Sequence, residues 1–247
     1  MKSNITIGLV VPFAEDRVPA EGPQMYPHVR FIPRGVGVKS LTPAGYDDAW
    51  NAILPAAEAL AKRDVDAIMV IGTSLTFYRG YEAHQRLLEQ LRAATGLPVS
   101  TMSAAVVDGL NAVGARRIGV CTAYADEVNA RLRAFLEASG FAVLALEGFG
   151  LTGFGEPGHK SEDDITALAS KVCGRAPDTE GLLVSCGGLR TLDIAEPLEE
   201  TYDMPVVSSM PASFWAAMRL VGESGELAGY GRLLQGAAGQ IERRTGT

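Results

Sequence analysis

Three segments of this chain occur twice, in the same order, and that repetition limits the fold more than anything else in the sequence. ITIGLVV (5–11) is echoed by RRIGVCT (116–122), DAIMVIGTSL (66–75) by EGLLVSCGGL (180–189), and LPVSTMSAA (97–105) by MPVVSSMPA (204–212). Gly8 pairs with Gly119, Asp66 with Glu180 and Pro98 with Pro205, each at a separation of about 110 residues. Buried parallel strands resemble one another, so one echo means little. Three at nearly one spacing point to two similar halves.

The echoed runs are separated by stretches of helical character. Strands are expected at 5–11, 67–72, 98–101, 117–122, 142–148, 181–186 and 205–209. Helices are expected near 42–62, 80–95, 104–113, 125–139, 162–176 and 212–221. Thr42-Pro43 reads as an N-cap and first helical residue, and Pro55 should kink or split the helix begun there. Alternation of this kind specifies an α/β fold of parallel sheets flanked by helices. The division expected is 1–112 plus 210–247 for one half and 113–209 for the other.

Parallel α/β sheets bind ligands beyond the carboxyl ends of their strands, and two halves facing each other enclose a cleft. The chemistry should therefore sit at strand–loop junctions: Val11-Pro12, Gly72-Thr73-Ser74, Thr122-Ala123-Tyr124 and Ser185-Cys186-Gly187-Gly188. Aligning the second echo sets Gly72 opposite Cys186, with Thr73 and Ser74 opposite Gly187 and Gly188. One half brings a thiol to the cleft, while the other brings a glycine with two hydroxyls beside it.

A thiol at a strand end beside a helix start is near backbone N–H groups that favour thiolate, whereas burial favours the neutral thiol. The sequence leaves that balance open, although it decides between a nucleophile and a proton donor. A cysteine is commonly a small buried hydrophobe, and Cys173 and Cys121 are read that way. The Gly-Gly turn after Cys186 argues for a functional role there. Thr73, Ser74 and Tyr124 can donate hydrogen bonds to a developing anion, although Thr73 and Ser74 could equally cap the next helix.

Other chemistries lack their residues. His28, His84 and His159 lie away from the strand ends, so no Ser-His-Asp set forms. No metal-ligand spacing, dinucleotide fingerprint or Walker loop is present. The Gly-rich stretch 148–158 reads as a mobile cleft loop. Net charge is −7, with no basic footprint for nucleic acid. The densest basic stretch, Arg30, Arg34 and Lys39, reads as a solvated loop. Three cysteines, an odd number, suit free thiols in a reducing cytoplasm. The opening MKSNITIGLVVPFAEDR is read as a first buried strand rather than a secretion signal. No apolar run is long enough for a membrane helix.

GTSLTFYRG (72–80), TAYADEVN (122–129), LLVSCGGLRTLD (182–193) and PVVSSMPASFW (205–215) resemble the arylmalonate decarboxylase family. TIGLVVP (6–12) and LTPAGYD (41–47) support this, so the resemblance runs from Thr6 to about Leu234. That family lies in the aspartate/glutamate racemase superfamily, with the maleate isomerases as near relatives. The resemblance implies two pseudo-symmetric α/β halves with the site between them. It implies a cysteine from each half in the racemases and isomerases, and in the decarboxylases only the second, facing a glycine. Gly72 and Cys186 match the decarboxylase pattern.

The resemblance also implies a mechanism. A disubstituted malonate, a small dicarboxylate, would place one carboxylate on Thr73, Ser74, Tyr124 and N–H groups near Ser74, Leu75 and Gly187. The other would sit against apolar side chains and leave as CO₂. Cys186 would then protonate the enediolate from one face. No metal, biotin or thiamine would be needed, and a monomer is expected. Pro12, Val38 and Leu41 match the family's apolar pocket.

The chain departs from the pattern at Phe13, which stands where a second proline is expected, and at Phe154, Glu156, Pro157 and His159 in the 151–160 loop. A bulky Phe154 would narrow the pocket and favour a smaller aryl or alkenyl group. The rival readings are a cofactor-independent racemase or isomerase of a small carboxylic acid, with Cys121 as its only available second thiol, and a two-lobed binding protein.

Overall fold

A computed structural model describes residues 4–236; the outermost parts of the expected first half, 1–3 and 237–247, lie outside the described residues. Strands β1 (Thr6–Val11), β2 (Arg30–Gly35), β3 (Ala67–Val70) and β4 (Val99–Thr101) form one sheet in the order β2-β1-β3-β4. Strands β5 (Arg117–Tyr124), β6 (Ala142–Leu151), β7 (Gly181–Ser185) and β8 (Val206–Ser208) form a second, in the order β6-β5-β7-β8. All pairings are parallel. Each strand has its counterpart four places along, which is the repeat read from the echoes.

The first half carries helices α1 (Glu21–Met25), α2 (Pro43–Ala61), α3 (Thr73–Phe77), α4 (Tyr81–Thr95) and α5 (Met102–Ala112). The second carries α6 (Asp126–Ala138), a 3-10 turn at Glu156–His159, α7 (Glu162–Arg175) and α8 (Ala195–Tyr202), and α9 (Ser209–Leu220) follows β8 but packs on β3 and β4 of the first sheet as well as on β7 and β8. Helices α5 and α9, which come directly after the equivalent strands β4 and β8, pack on each other and tie the halves together. The central strands are apolar on both faces; Ile7, Leu9, Ile68, Val70, Val120 and Val184 are fully buried. Such runs are what a sheet covered by helices on both sides requires.

Local chemistry sets the helix starts. Thr42 Oγ1 accepts from Gly45 N at 3.2 Å with Pro43 next in line, and Thr101 Oγ1 accepts from Ala104 N at 3.1 Å. Ser161 and Asp164 form a reciprocal capping box on α7. Pro55 does not split α2, which runs through it. Both Pro55 and Asn51, whose carbonyl loses its partner there, are exposed, so water can take the missing donor's place.

Two expectations need correction. The basic stretch is only partly a loop: Arg30 and Arg34 belong to β2, paired along its length with β1, while Lys39 lies in the loop beyond it, and all three are exposed as expected. An edge strand needs only one partner and tolerates a proline. Ile32 is its one buried residue, so the usual apolar run is missing. The 148–158 stretch is not all loop either. Its start continues β6 to Leu151, and Glu156 closes the turn beyond the strand by accepting from Thr152 N and Gly153 N at 3.1 and 2.8 Å.

Gly8 and Gly119 let a helix approach the middle of each sheet. A Cβ at Gly119 would meet Val172 Cγ1 at 2.7 Å, whereas one at Gly8 would meet Leu60 and Ile68 at an ordinary 3.4 Å. Valine is stiff at χ1 and cannot swing aside. Gly119→Ala should therefore lower unfolding free energy by about 1–3 kcal/mol, while Gly8→Ala should stay within about 1 kcal/mol of the parent. Urea unfolding of both variants checks this, and equal losses would contradict it.

Candidate active site

A cavity of about 460 Å³ opens where the carboxyl ends of the two sheets meet. Pro12 reaches it from the end of β1, Gly72, Thr73, Ser74 and Leu75 from the end of β3, and Cys186 and Gly187 from the end of β7. Val38, Leu41 and Phe154 complete an apolar wall. That wall is stitched together by the backbone: Val38 N donates to Pro12 O and Leu41 N to Thr152 O, both at 2.8 Å. A bridge between Ser40 and Gly153 holds the 151–160 segment over the cavity. Phe154 stands edge-on to Phe13, ring centroids 6.1 Å apart.

Gly72 and Cys186 occupy equivalent junctions and share an uncommon backbone conformation, with φ of +125° and +150°. Glycine adopts it freely. For cysteine it costs on the order of 1–3 kcal/mol, strain of a kind concentrated at functional sites. No helix begins at Cys186, contrary to the expectation for a strand end of this type: Gly187–Leu189 is a turn and α8 starts only at Ala195. The helix-dipole contribution is therefore missing, and the thiol receives instead the N–H of Gly188, at 3.4 Å from Sγ, with smaller contributions from the Tyr124 hydroxyl and the Leu189 N–H.

Burial decides the protonation state that the sequence leaves open. It pushes the Cys186 thiol up to about 11, against smaller opposing effects from the Gly188 N–H, the Tyr124 hydroxyl and the Leu189 N–H. At neutral pH the group is S–H, a proton donor. Its alkylation by iodoacetamide needs thiolate, so the rate should keep rising with pH towards a midpoint near 11. Peptide mapping of the labelled residue against pH measures this, and a midpoint at the ordinary thiol value would contradict it. Cys121 is fully buried, is not part of the cavity wall and is raised by burial as well; Cys173 lies on α7. Neither faces Cys186 across the cleft.

Thr73 and Ser74 do not cap α3, whose start has no side-chain cap. Thr73 Oγ1 instead donates to Ser209 Oγ at 2.9 Å, linking the first half to α9. Ser209 Oγ also accepts from Cys186 N at 3.4 Å, so one hydroxyl ties the donor turn to the thiol turn. The first bond inside α3 runs from Thr76 N to Gly72 O. That leaves the N–H groups of Ser74 and Leu75 without intrahelical acceptors.

Tyr124 is not in the cavity wall. It stands behind it, 1 % exposed, with its hydroxyl 3.4 Å from Ser185 Oγ and within reach of Ser74 and Cys186. Pro157 is also one layer back, packed against Gly188.

Tyr46 and Ser209 carry no motif of their own and escape sequence reasoning. Tyr46 lies in the LTPAGYD stretch, and Ser209 in the third echo. Tyr46 lines the cavity, and its buried hydroxyl has no hydrogen bond of normal geometry; Ser74 is the side chain nearest to serving it. Burial raises both tyrosines well above the usual phenol range, so they remain O–H donors. Among the described residues no group of three or more His, Cys, Asp or Glu side chains is placed to hold a metal ion, and no helix is long and apolar enough to cross a membrane.

The site thus combines neutral hydrogen-bond donors, apolar side chains and one protonated thiol around a single cavity. Comparison with known proteins gives the family. The sequence profile of arylmalonate decarboxylase matches residues 7–234. The arylmalonate decarboxylase of Bordetella bronchiseptica is 43% identical over 232 residues, covering 94% of this chain and 97% of that protein. The maleate isomerase of Nocardia farcinica is 27% identical, covering 93% and 95%. A liganded glycine-to-cysteine, cysteine-to-serine variant of arylmalonate decarboxylase superposes with a TM-score of 0.92 at 41% identity, over 94% of this chain and 99% of that one. The solved Nocardia isomerase shares the fold, with a TM-score of 0.88 at 21% identity over 97% and 99% of the two chains. The chain belongs to the arylmalonate decarboxylase family, and with it to the carboxy-lyases.

Proposed function

We propose that this chain decarboxylates an α,α-disubstituted aryl or alkenyl malonate to a single enantiomer of the monocarboxylic acid, with Cys186 as the proton donor and no cofactor. One observation carries the reading: a buried neutral thiol and a glycine stand at equivalent strand ends in the wall of one cavity, beside hydroxyl and N–H donors and apolar side chains.

One carboxylate is held by the Thr73 and Ser74 hydroxyls, by the N–H groups of Ser74, Leu75 and Gly187, and from behind by Tyr124. Tyr46 adds an unspent O–H. The other carboxylate lies against Pro12, Val38 and Leu41, which offer it no hydrogen bond. The bond from the α-carbon to that carboxylate breaks, CO₂ leaves, and the electron pair spreads into the retained carboxylate as an enediolate. Donors aimed at that growing charge in a dry site are worth roughly 3 kcal/mol each of barrier. The S–H proton of Cys186 then passes to the α-carbon. The thiolate left behind, disfavoured by burial, recovers a proton from water. One proton is consumed for each CO₂ released.

Racemisation or isomerisation of the isomerase type needs a second acid or base on the opposite face. Gly72 has no side chain there, and Cys121 is sealed in the core. The test is incubation with phenylmalonate and 2-methyl-2-phenylmalonate, without added cofactor, following CO₂ and product chirality. CO₂ release from both is expected, with one enantiomer of 2-phenylpropanoate from the methylated substrate. Release of a racemic product, or interconversion of a pure product enantiomer at a comparable rate, would overturn the one-thiol mechanism.

A further inference from the structure

Two arginines stand in the rim of the cavity, and the chemistry proposed above has no use for either. Arg17 comes from the loop after β1 and Arg190 from the turn after Cys186, so the two rise from opposite halves of the molecule. Both are exposed. Neither forms an ion pair among the described residues, in contrast to Arg34 with Asp16 or Arg79 with Asp47. Glu21 is the one acidic side chain in the same wall, so the mouth keeps a net positive charge on a chain whose total is −7.

The position of Arg17 is defined by packing. Its guanidinium lies 4.0 Å from the centroid of Phe13, and Phe13 meets Phe154 edge-on. An aryl or alkenyl substituent resting on these two rings would lie beside the Arg17 guanidinium, in the cavity that Arg190 also lines. These cations cannot be there for the leaving carboxylate. A guanidinium beside that group would stabilise the ground state more than the transition state and slow the loss of CO₂. The carboxylate that stays is served by hydroxyls and N–H groups deeper in the cavity.

We infer that Arg17 and Arg190 recognise a further carboxylate at the distal end of the substrate's α-substituent, so that the preferred substrate is a malonate bearing an acidic side group. This rests on the decarboxylase reading for the chemistry, but recognition of the distal carboxylate can be measured without it. A guanidinium fork matches carboxylate geometry, and a partly exposed pair retains enough strength to discriminate between ligands.

The experiment is calorimetric binding of product-like ligands to the intact chain: phenylacetate against 3- and 4-carboxyphenylacetate, at low and high salt. At low salt at least one carboxylated isomer should bind about ten-fold more tightly than phenylacetate, with the preference shrinking at high salt. In Arg17→Gln/Arg190→Gln the ratio should fall to about one. Arg17→Lys/Arg190→Lys, which keeps the charge and loses the fork, should retain part of the preference.

Equal binding of all three ligands by the parent chain, or a preference that survives the glutamine variant, would overturn the inference even if phenylmalonate is turned over. A preference that disappears in the glutamine variant would sustain it even if phenylmalonate is not. General steering of anions predicts a third pattern, in which phenylacetate weakens as much as its carboxylated forms and the ratio does not move; that also overturns the inference.

Discussion

Cys186→Ser should lower kcat for a malonate substrate by about 10²–10⁴-fold, the usual worth of a positioned general acid, with a much smaller change in KM. The substitution suits the question because it preserves nearly everything else. Serine has the same branching and meets the same backbone strain at φ +150°. The hydrogen bond from Cys186 N to Ser209 Oγ involves only the backbone at this position. The donors proposed to hold the retained carboxylate lie mainly on Thr73, Ser74, Leu75 and Gly187. What changes is acidity. The thiol titrates at about 11 in its buried setting, and burial penalises a serine alkoxide by the same physics from a far weaker starting acid. Steady-state kinetics with phenylmalonate measures the loss, and circular dichroism shows that the fold is kept. Near-parent turnover would remove Cys186 from the proton-donor role. A loss confined to KM would make it a binding residue.

The part of this site legible in the sequence is the part written in strands. Buried parallel strands announce themselves as apolar runs, and their duplicated order points to all of the second sheet, three of the four strands of the first, and the equivalent strand-end positions of Gly72 and Cys186. Residues whose roles depend on the backbone path are silent. Nothing in the letters around Cys186 says that it takes a glycine-like φ, and its Gly-Gly turn suggested a helix start that is not there. The hydroxyls of Thr73 and Ser74 had two equal readings until Ser209 appeared as the partner of the first. Tyr124 was placed at the cleft by its strand end, yet its ring extends behind the cavity wall, because β5 runs on to Tyr124 itself.

Strand β2 was missed because an edge strand with one buried residue carries almost no periodic signal. Arg190 sits inside a quoted motif, but an exposed arginine reads as solvated surface until a cavity is found beside it. The protonation state of the thiol is the clearest case. It depends on burial against neighbouring N–H and O–H groups, effects of opposite sign of which burial is the larger, and only the fold gives both.

The facing of Gly72 and Cys186 can be tested by moving the thiol. Gly72→Cys combined with Cys186→Ser should yield the opposite enantiomer of the product, because the proton then arrives at the other face of an enediolate whose carboxylate anchor has not moved. The local geometry permits the exchange. A Cβ at Gly72 would meet only Leu75, at 3.2 Å from Cβ and 3.5 Å from Cδ2, and a shift of a few tenths of an ångström in that side chain relieves the contact. The backbone at φ +125° is strained for cysteine, yet it resembles the conformation that Cys186 already accepts. Strain of about 1–3 kcal/mol together with an unoptimised donor position should leave the double variant about 10–100-fold slower than the parent. Chiral chromatography of the acid formed from 2-methyl-2-phenylmalonate reads the outcome, with the stereochemistry informative even at low turnover. Inverted product would place the two positions on opposite faces of the substrate. Product of the parent's handedness would mean that the proton still comes from the second half, by way of the substituted serine hydroxyl or water held there, and the two junctions would no longer be interchangeable ends of one pseudo-symmetric site.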